Sequence, residues 1–312
     1  MSRTTDAVVA ARDVAVVGLG QMGRGIARNL DRAGRLAAAW DVNAAAREAS
    51  GLSSAVTLLP PGARDGLKTV IFVVPGSAQI GEILKGPAGL LARPRDGQVL
   101  IDLTTSYPAA TRALAALAHA ARRDYVDCGM TGGAAGADAG TLTLMAGGMP
   151  ATVEACRPLL GHIAGKVIYI GETGSGHAMK LIHNMICHTI FLATSEGCRL
   201  AERIGIPLET AVAVINAGNA RSFVSKRRFS DQIVSGAFDG RSTVANLAKD
   251  LRMADELARE ADLPGPYGAL AADVLARAIE QGLADLDFTL LYRHMDELLS
   301  QNHRARVPPA SA

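Results

Sequence analysis

The chain has 312 residues, of which 49% are apolar, 20% charged and 4% aromatic, and its formal net charge is +2. This length favours two domains that each bury a core, and the composition excludes a disordered or fibrous protein. Because the 32 basic and 30 acidic residues are spread along the chain, we expect no nucleic-acid partner.

The cysteines and the apolar runs indicate the compartment. The four cysteines have neither the C-x-x-C spacing of redox and zinc motifs nor the density of a secreted disulfide scaffold. The N-terminus carries charges where a signal peptide would be apolar, and no apolar run reaches the ~18 residues of a membrane span. We therefore expect a cytoplasmic protein with no membrane partner.

Short apolar runs alternate with helical stretches from residue 13 to about residue 170. The predicted strands are residues 14–17, 36–40, 70–74, 99–101, 125–126, 142–145 and 167–170. Repeated alternation of this kind is typical of a mostly parallel sheet with helices on both faces. Residues 1–172 are therefore predicted to form a doubly wound α/β domain.

Strand signals stop after Gly171, and only helical periodicity follows. The predicted helices are residues 175–204, 207–216, 244–260, 266–281 and 287–299. Residues 173–300 are thus predicted to form an all-helical domain for substrate binding and oligomerisation. The first helix, about 45 Å long at 1.5 Å per residue, would join the two domains beside an interdomain cleft. Residues 301–312 have no apolar pattern and predict a disordered tail.

A glycine-rich turn follows the first predicted strand and precedes a helix: Gly18-Leu19-Gly20-Gln21-Met22-Gly23. Gly18 permits the tight turn, Gly20 lets the backbone approach a pyrophosphate, and Gly23 lets helix and strand pack closely. The helix N-terminus then favours the anion. This context predicts a dinucleotide-binding Rossmann domain.

Asp41 stands at the end of the second predicted strand, directly after residue 40. A carboxylate there can bind both hydroxyls of the adenosine ribose and would repel a 2′-phosphate, so it favours NAD. Arg32, Arg35 and Arg47 lie close in sequence and leave NADP use open.

Lys180 and Asn184 are spaced by four residues, which places both on one face of the long helix. A lysine can accept the proton of a substrate hydroxyl if burial or a nearby cation lowers its pKa. A single helical lysine is more often a solvated surface charge. His177, His183 and His188 lack the spacing of a helical metal site, so we expect no metal.

Four segments, in order, resemble the β-hydroxyacid dehydrogenase family, which includes 3-hydroxyisobutyrate dehydrogenase and tartronate semialdehyde reductase. They are the glycine turn continuing to Ala33-Gly34, Asp127-Cys128-Gly129-Met130-Thr131-Gly132-Gly133, Gly174-Ser175-Gly176-His177-Ala178-Met179-Lys180 with Asn184, and Leu247-Ala248-Lys249-Asp250-Leu251. The resemblance runs from about residue 13 to residue 300. The family usually has serine at the position of Thr131 and a less polar stretch before it.

The resemblance implies roles for these residues. Lys180 would be the catalytic acid/base and Asn184 would help to hold the substrate. The substrate's acid group would be bound in a glycine-rich loop by Thr131, Gly132 and Gly133. The cofactor would be bound by the glycine turn together with Asp41, Val74, Pro75, Thr105 and Lys249.

The predicted activity is therefore NAD-dependent interconversion of a short 3-hydroxy acid and its semialdehyde or keto acid. Two alternatives remain: an imine reductase of the same fold, whose members generally lack the lysine, and a non-catalytic dinucleotide-binding protein. Residues 221–228 are predicted to form a solvated loop, in which Arg221 or Ser222 could instead bind a distal anionic group of the substrate. The family and the apolar stretch 185–192 predict a homodimer or homotetramer.

Overall fold

The structure is a computed structural model, and it describes residues 12–63, 66–85, 89–92 and 95–306. The chain divides into two compact units, Met1–Lys180 and Leu181–Ala312. Each unit has its own apolar core. The division falls inside a long helix, eight residues after the boundary proposed from the sequence.

One sheet forms the centre of the first unit. Its strands are β1 (Val14–Val17), β2 (Leu36–Trp40), β3 (Thr69–Phe72), β4 (Val99–Asp102), β5 (Asp124–Thr131), β6 (Leu142–Gly147) and β7 (Ala164–Gly171). They lie in the order β2-β1-β3-β4-β5-β6-β7, and among these pairs β5 and β6 alone are antiparallel. The prediction of a mostly parallel, doubly wound sheet is confirmed.

Helices cover both faces of this sheet. They are α1 (Gln21–Arg32), α2 (Ala44–Glu48), α3 (Ser77–Leu84), α4 (Pro108–Ala120), α5 (Gly133–Ala139) and α6 (Pro150–Leu160). Successive strand residues face opposite sides of a sheet. In β1, Val14 and Val16 belong to one apolar cluster, and Ala15 and Val17 belong to another. Both faces are therefore buried, as a parallel sheet requires.

Strand β5 is longer than the predicted run of residues 125–126. Aspartate and glycine are rare in strands, so residues 127–133 were expected to form a loop. They pair with β6 instead, from Asp127 opposite Gly147 to Thr131 opposite Thr143. The loop prediction was wrong before Gly132, because pairing with an antiparallel neighbour overrides the weak local preference.

The second unit is built from helices, as predicted. Helix α7 (Ser175–Arg203) is shared between the units, and α8 (Leu208–Ala217), a π-helical segment (Val224–Val234), α9 (Val244–Glu260), α10 (Pro266–Glu280) and α11 (Leu291–Arg306) follow. A 3-10 turn, Phe288–Leu290, precedes α11. Helix α11 continues six residues into the predicted tail, and residues 307–312 of that tail lie outside the described residues.

The π-helical segment overlaps the solvated loop that was predicted at residues 221–228. Val224, Phe229 and Ile233 are buried at spacings of five and four residues, which suits the wider π-helical turn. Arg228 stacks its guanidinium carbon 5.5 Å from the centre of the Phe288 ring, and burial lowers the pKa of this arginine. The loop prediction was therefore wrong from Val224 to Arg228, where the adjacent cations obscured the apolar spacing. Arg221 and Ser222 do lie outside regular secondary structure, and Lys226 and Arg227 are exposed as predicted.

Candidate active site

Two glycines of the glycine turn are required by packing. Gly18 has a φ of 98°, and a Cβ atom there would collide with the carbonyl group of Val73. A Cβ atom on Gly23 would collide with the carbonyl group of Gly18. Replacing either glycine would therefore separate α1 from the strands beneath it.

Gly20 has a different environment, because no heavy atom lies within 4 Å of the position that its Cβ atom would take. It precedes α1 and makes no side-chain capping bond, so the first amide groups of the helix are not capped by a side chain. Leu19 is buried, Gln21 is exposed and Met22 is half-buried. The open space and the helix N-terminus fit the pyrophosphate of a dinucleotide.

Asp41, just after β2, connects the glycine turn to the strand end. One of its oxygens accepts a hydrogen bond from the Leu19 amide at 2.7 Å, and the other accepts from the Asn43 amide at 2.8 Å. Each carboxylate oxygen keeps a second lone pair for a ribose hydroxyl. Arg47 packs 4.4 Å from the centre of the Trp40 ring and donates to the Asp41 carbonyl at 2.6 Å.

The three arginines near the adenosine end of the turn are not equivalent. Arg35 pairs with Asp13 at 2.9 Å, and Arg32 donates to the side chain of Asn29. Arg47 is the one that contacts the backbone at the end of β2. Arg47, a cation that could bind a 2′-phosphate, is therefore held beside Asp41, whose carboxylate would repel the same phosphate.

The loops after β3 and β4 lie at the same edge of the sheet, because both strands run parallel to β1. Val74 is half-buried and Pro75 is exposed. After β4, Thr104 is buried and its hydroxyl donates to Asp102 at 2.6 Å, whereas Thr105 is half-buried. Thr105 thus differs from its buried neighbour in keeping part of its surface exposed at this edge of the sheet.

The start of α7 is hydrogen-bonded to β5 within the first unit. Asp127 is fully buried, and its two oxygens accept from the amides of Gly174 at 2.7 Å and His177 at 2.9 Å. This carboxylate therefore caps the helix N-terminus from a neighbouring strand. Two residues further along β5, a Cβ atom on Gly129 would lie only 2.5 Å from the Cβ of Lys180.

The end of β5 carries the residues expected at the substrate's acid group. Thr131 is the last strand residue and is half-buried. Gly132 and Gly133 follow with φ angles of 124° and 64°, a backbone that favours glycine. Lys180 is half-buried and packs against the same strand at Gly129, so β5 connects the predicted acid-binding residues to the predicted acid/base.

The other two predicted polar residues form a cluster in the second unit. Asn184 donates its amide to Asp250 at 2.6 Å, and both side chains are buried. The Lys249 amine lies 3.6 Å from the second oxygen of Asp250. His183 contacts the Asn184 side-chain oxygen at 3.2 Å. Asp250 therefore fixes the amide orientation of Asn184, a contact that the sequence does not reveal.

Sequence reasoning gave no role to Asp102, Asp127 and His177, although all three are fully buried and His177 lies on the lysine helix itself. The available signal was that each aspartate directly follows a predicted strand, residues 99–101 for Asp102 and residues 125–126 for Asp127. Arg221 is exposed between α8 and the π-helical segment, and it is not among the clustered residues.

Within the described part of the chain, we find no group of three His, Cys, Asp or Glu side chains suited to a metal. In the same residues, the helices are too short or too polar to cross a membrane.

Two family models match nearly the whole chain. Residues 13–171 match the NAD binding domain of 6-phosphogluconate dehydrogenase, and residues 174–295 match the NAD-binding domain of NADP-dependent 3-hydroxyisobutyrate dehydrogenase. The first match contains the glycine turn, β5 and Asp41, and the second contains Lys180, Asn184 and Lys249.

Individual proteins extend these matches. The 2-(hydroxymethyl)glutarate dehydrogenase of Eubacterium barkeri is 28% identical, with 91% of this chain and 95% of the relative covered. The structure of 3-hydroxyisobutyrate dehydrogenase from Mycobacterium tuberculosis with L-serine has a TM-score of 0.79 at 28% identity, covering 94% of this chain and 99% of the other. An imine reductase from Pseudomonas sp. shares the fold at 19% identity, with a TM-score of 0.59 and coverage of 90% and 98%.

Proposed function

We propose that this chain, which belongs to the β-hydroxyacid dehydrogenase family, transfers a hydride between NAD and a short 3-hydroxy acid with Lys180 as the acid/base. Its relatives establish the coarser activity, a hydroxyacid oxidoreductase with an NAD(P) cofactor. The names of the two hydroxyacid relatives also share a feature: each substrate carries a hydroxymethyl group on the carbon next to a carboxylate.

The observation that carries the proposal is the close packing of Lys180 on Gly129. A side chain at Gly129 would collide with Lys180, so the strand and the lysine helix approach as closely as glycine permits. The same strand ends in Thr131, two residues later. This arrangement supports a site in which the carboxylate is bound at the end of β5 while the lysine faces the neighbouring hydroxyl group.

Each residue then has a distinct part in the reaction. NAD, when bound on the glycine turn, supplies the hydride acceptor, and the protein supplies alignment. We propose that the Lys180 amine takes the hydroxyl proton during oxidation and returns it during reduction. Thr131, Gly132 and Gly133 would hold the carboxylate through one hydroxyl and backbone amides.

The polar cluster of the second unit would complete substrate and cofactor binding. Asn184 is one helical turn beyond Lys180, and its amide is held by Asp250 at 2.6 Å. We propose that Asn184 holds the substrate and that Lys249 acts at the nicotinamide end. We also propose that Arg221 determines substrate specificity by binding a distal anionic group of the substrate.

We propose NAD as the preferred cofactor because Asp41 would repel a 2′-phosphate. Its carboxylate is fixed by two backbone amides, so it cannot easily turn away from the ribose. Arg47, which is held beside it, is the residue that would assist NADP.

Imine reduction is the alternative within this fold. The imine reductase from Pseudomonas sp. is only 19% identical, so its likeness concerns the fold alone. Lys180 favours hydroxyacid chemistry, because protonating an alkoxide requires a group that an imine reductase of this fold generally lacks. The lysine also argues against a non-catalytic dinucleotide-binding protein.

A homodimer or homotetramer is proposed from the exposed apolar side chains of α7. Ile182 and Ile186 are 40% and 51% exposed, and their spacing of four residues places them on one helix face. A cytoplasmic location is proposed because the four cysteines have neither the spacing of redox and zinc motifs nor the density of a disulfide scaffold. Light scattering of the purified protein measures the assembly directly.

The test is absorbance at the NADH band with a panel of short acids: 3-hydroxyisobutyrate, L-serine, 2-(hydroxymethyl)glutarate, glycerate and threonate. We expect turnover with at least one acid and a preference for NAD that weakens in Asp41→Ala. Turnover of a cyclic imine instead, with every hydroxy acid silent, would support the alternative. Tight NADH binding without turnover of either class would indicate a non-catalytic protein.

A further inference from the structure

A chain of buried polar side chains begins at His177, in the first turn of α7. His177, three residues before Lys180, is fully buried, and its Nδ1 atom lies 2.7 Å from the hydroxyl oxygen of Thr111 on α4. Its Nε2 atom is buried without a hydrogen-bond partner in the described residues and lies 3.8 Å from Asp102 at the end of β4. His177 therefore connects the lysine helix to two other elements of the same unit.

Three groups donate hydrogen bonds to the buried side chain of Asp102. The Thr104 amide and hydroxyl donate to one oxygen at 2.9 and 2.6 Å, and the Tyr125 hydroxyl donates to the other at 2.8 Å. Burial and the neighbouring Asp102 raise the pKa of Tyr125, so this phenol stays a donor. These donors fix the side chain of Asp102, which presents an acceptor oxygen toward the imidazole.

The position of that acceptor oxygen determines which nitrogen of His177 carries the hydrogen. A lone pair on Nε2 would face the carboxylate and be repelled, whereas an N–H group would be attracted. Nδ1 must then accept, and the Thr111 hydroxyl, although also 3.2 Å from the Tyr107 carbonyl, is its nearest donor. The contacts favour one arrangement: Thr111 donates to Nδ1, and Nε2–H points toward Asp102.

We propose that Thr111, His177 and Asp102 form a positioning chain that fixes the first turn of α7 and thereby the location of the Lys180 amine. The assignment rests on the proposed role of Lys180. A leucine would fill the same buried space without polar atoms, so a hydrogen-bonded histidine here supplies orientation that apolar packing lacks. Asp102 also ends the strand that leads to Thr105, so the chain connects the cofactor edge to the lysine helix.

The variant Thr111→Val tests this chain, with Thr111→Ser as its matched control. Valine keeps the shape and removes the donor to Nδ1, whereas serine keeps the hydroxyl. We expect Thr111→Val to lower kcat on the order of tenfold without changing the KM for NAD, because one hydrogen bond to the histidine is lost. Thr111→Ser should stay within about twofold of the parent protein on the same reasoning.

Two measurements on the full chain do not depend on turnover. Nitrogen-15 NMR of labelled histidine should show the hydrogen of His177 on Nε2. Hydrogen exchange should quicken on the order of tenfold at residues 176–180 in Thr111→Val, and stay unchanged at residues 195–200 of the same helix. A hydrogen on Nδ1, or unchanged exchange at residues 176–180, would overturn the proposal.

These readouts separate this inference from the proposed function. If the parent protein oxidises hydroxy acids and Thr111→Val is equally active, the positioning chain is wrong and the proposed function stands. If the parent is inactive on every acid while the NMR and exchange results are as expected, the proposed function fails and the chain still orders α7.

Discussion

The variant Gly129→Ala tests how closely the strand and the lysine helix must approach. The added methyl group would lie 2.5 Å from the Lys180 Cβ and 2.8 Å from the Gly176 carbonyl oxygen, about 1 Å short of ordinary contact. Overpacking of this kind costs about 1–3 kcal/mol of unfolding free energy. If α7 moves by about 1 Å in response, a catalytic group on it loses activity by a factor on the order of 100.

Denaturant unfolding and NADH-linked rates measure both effects in the same samples. Gly197→Ala is the matched control, because Gly197 is an exposed position of α7 with no heavy atom within 4 Å of the place that an added methyl group would take. That variant should gain about 0.5–1 kcal/mol from helix propensity and keep its activity. A Gly129→Ala protein as stable and as active as the parent would refute the packing argument.

Three further predictions concern the cofactor turn, the second unit and acid stability. Gly20→Ala should leave the melting temperature unchanged and raise the KM for NAD on the order of tenfold, since its methyl group would enter the space assigned to pyrophosphate. Asp250→Ala should lower kcat/KM for the hydroxy acid by a factor that corresponds to about 1–3 kcal/mol of activation free energy, because the buried Asn184 amide loses its acceptor. The hydrogen bond from Arg199 lowers the pKa of Asp296, so its stabilising effect is present above the ordinary value of 3.8 and is lost as pH falls below it. Unfolding of Asp296→Asn measured against pH should show a smaller loss of stability in that acid range, and an unchanged acid profile would contradict the assignment.

Local periodicity explains which elements could be predicted. Strands β1 and β2 and helix α9 have the predicted bounds, because continuous apolar runs and a clear helical period mark them. Strand β5 was predicted too short, since Gly129 and Asp127 have low strand propensity and their pairing with β6 is a tertiary effect. The π-helical segment was missed because a spacing of five residues fits neither the helical nor the strand pattern.

The site divides in the same way. The glycine turn and Asp41 could be located from the sequence because their chemistry depends on residues close together in the chain. The bonds from Asn184 to Asp250 and from His177 to Thr111 each connect residues 66 positions apart. No rule based on sequence spacing predicts contacts between residues so far apart in the chain. The contacts that support Asn184 and Lys180 could therefore be identified only from the structure.

The most direct test of the proposed acid/base is Lys180→Ala beside Lys166→Ala, an exposed lysine of β7 that serves as the matched control. Two quantities are measured on each protein: NADH binding, by fluorescence, and the rate of hydroxy acid oxidation. We predict that Lys180→Ala binds NADH normally and loses activity by a factor of about 100 to 10,000, while Lys166→Ala keeps its rate. Full activity in Lys180→Ala would contradict the proposed role of this lysine.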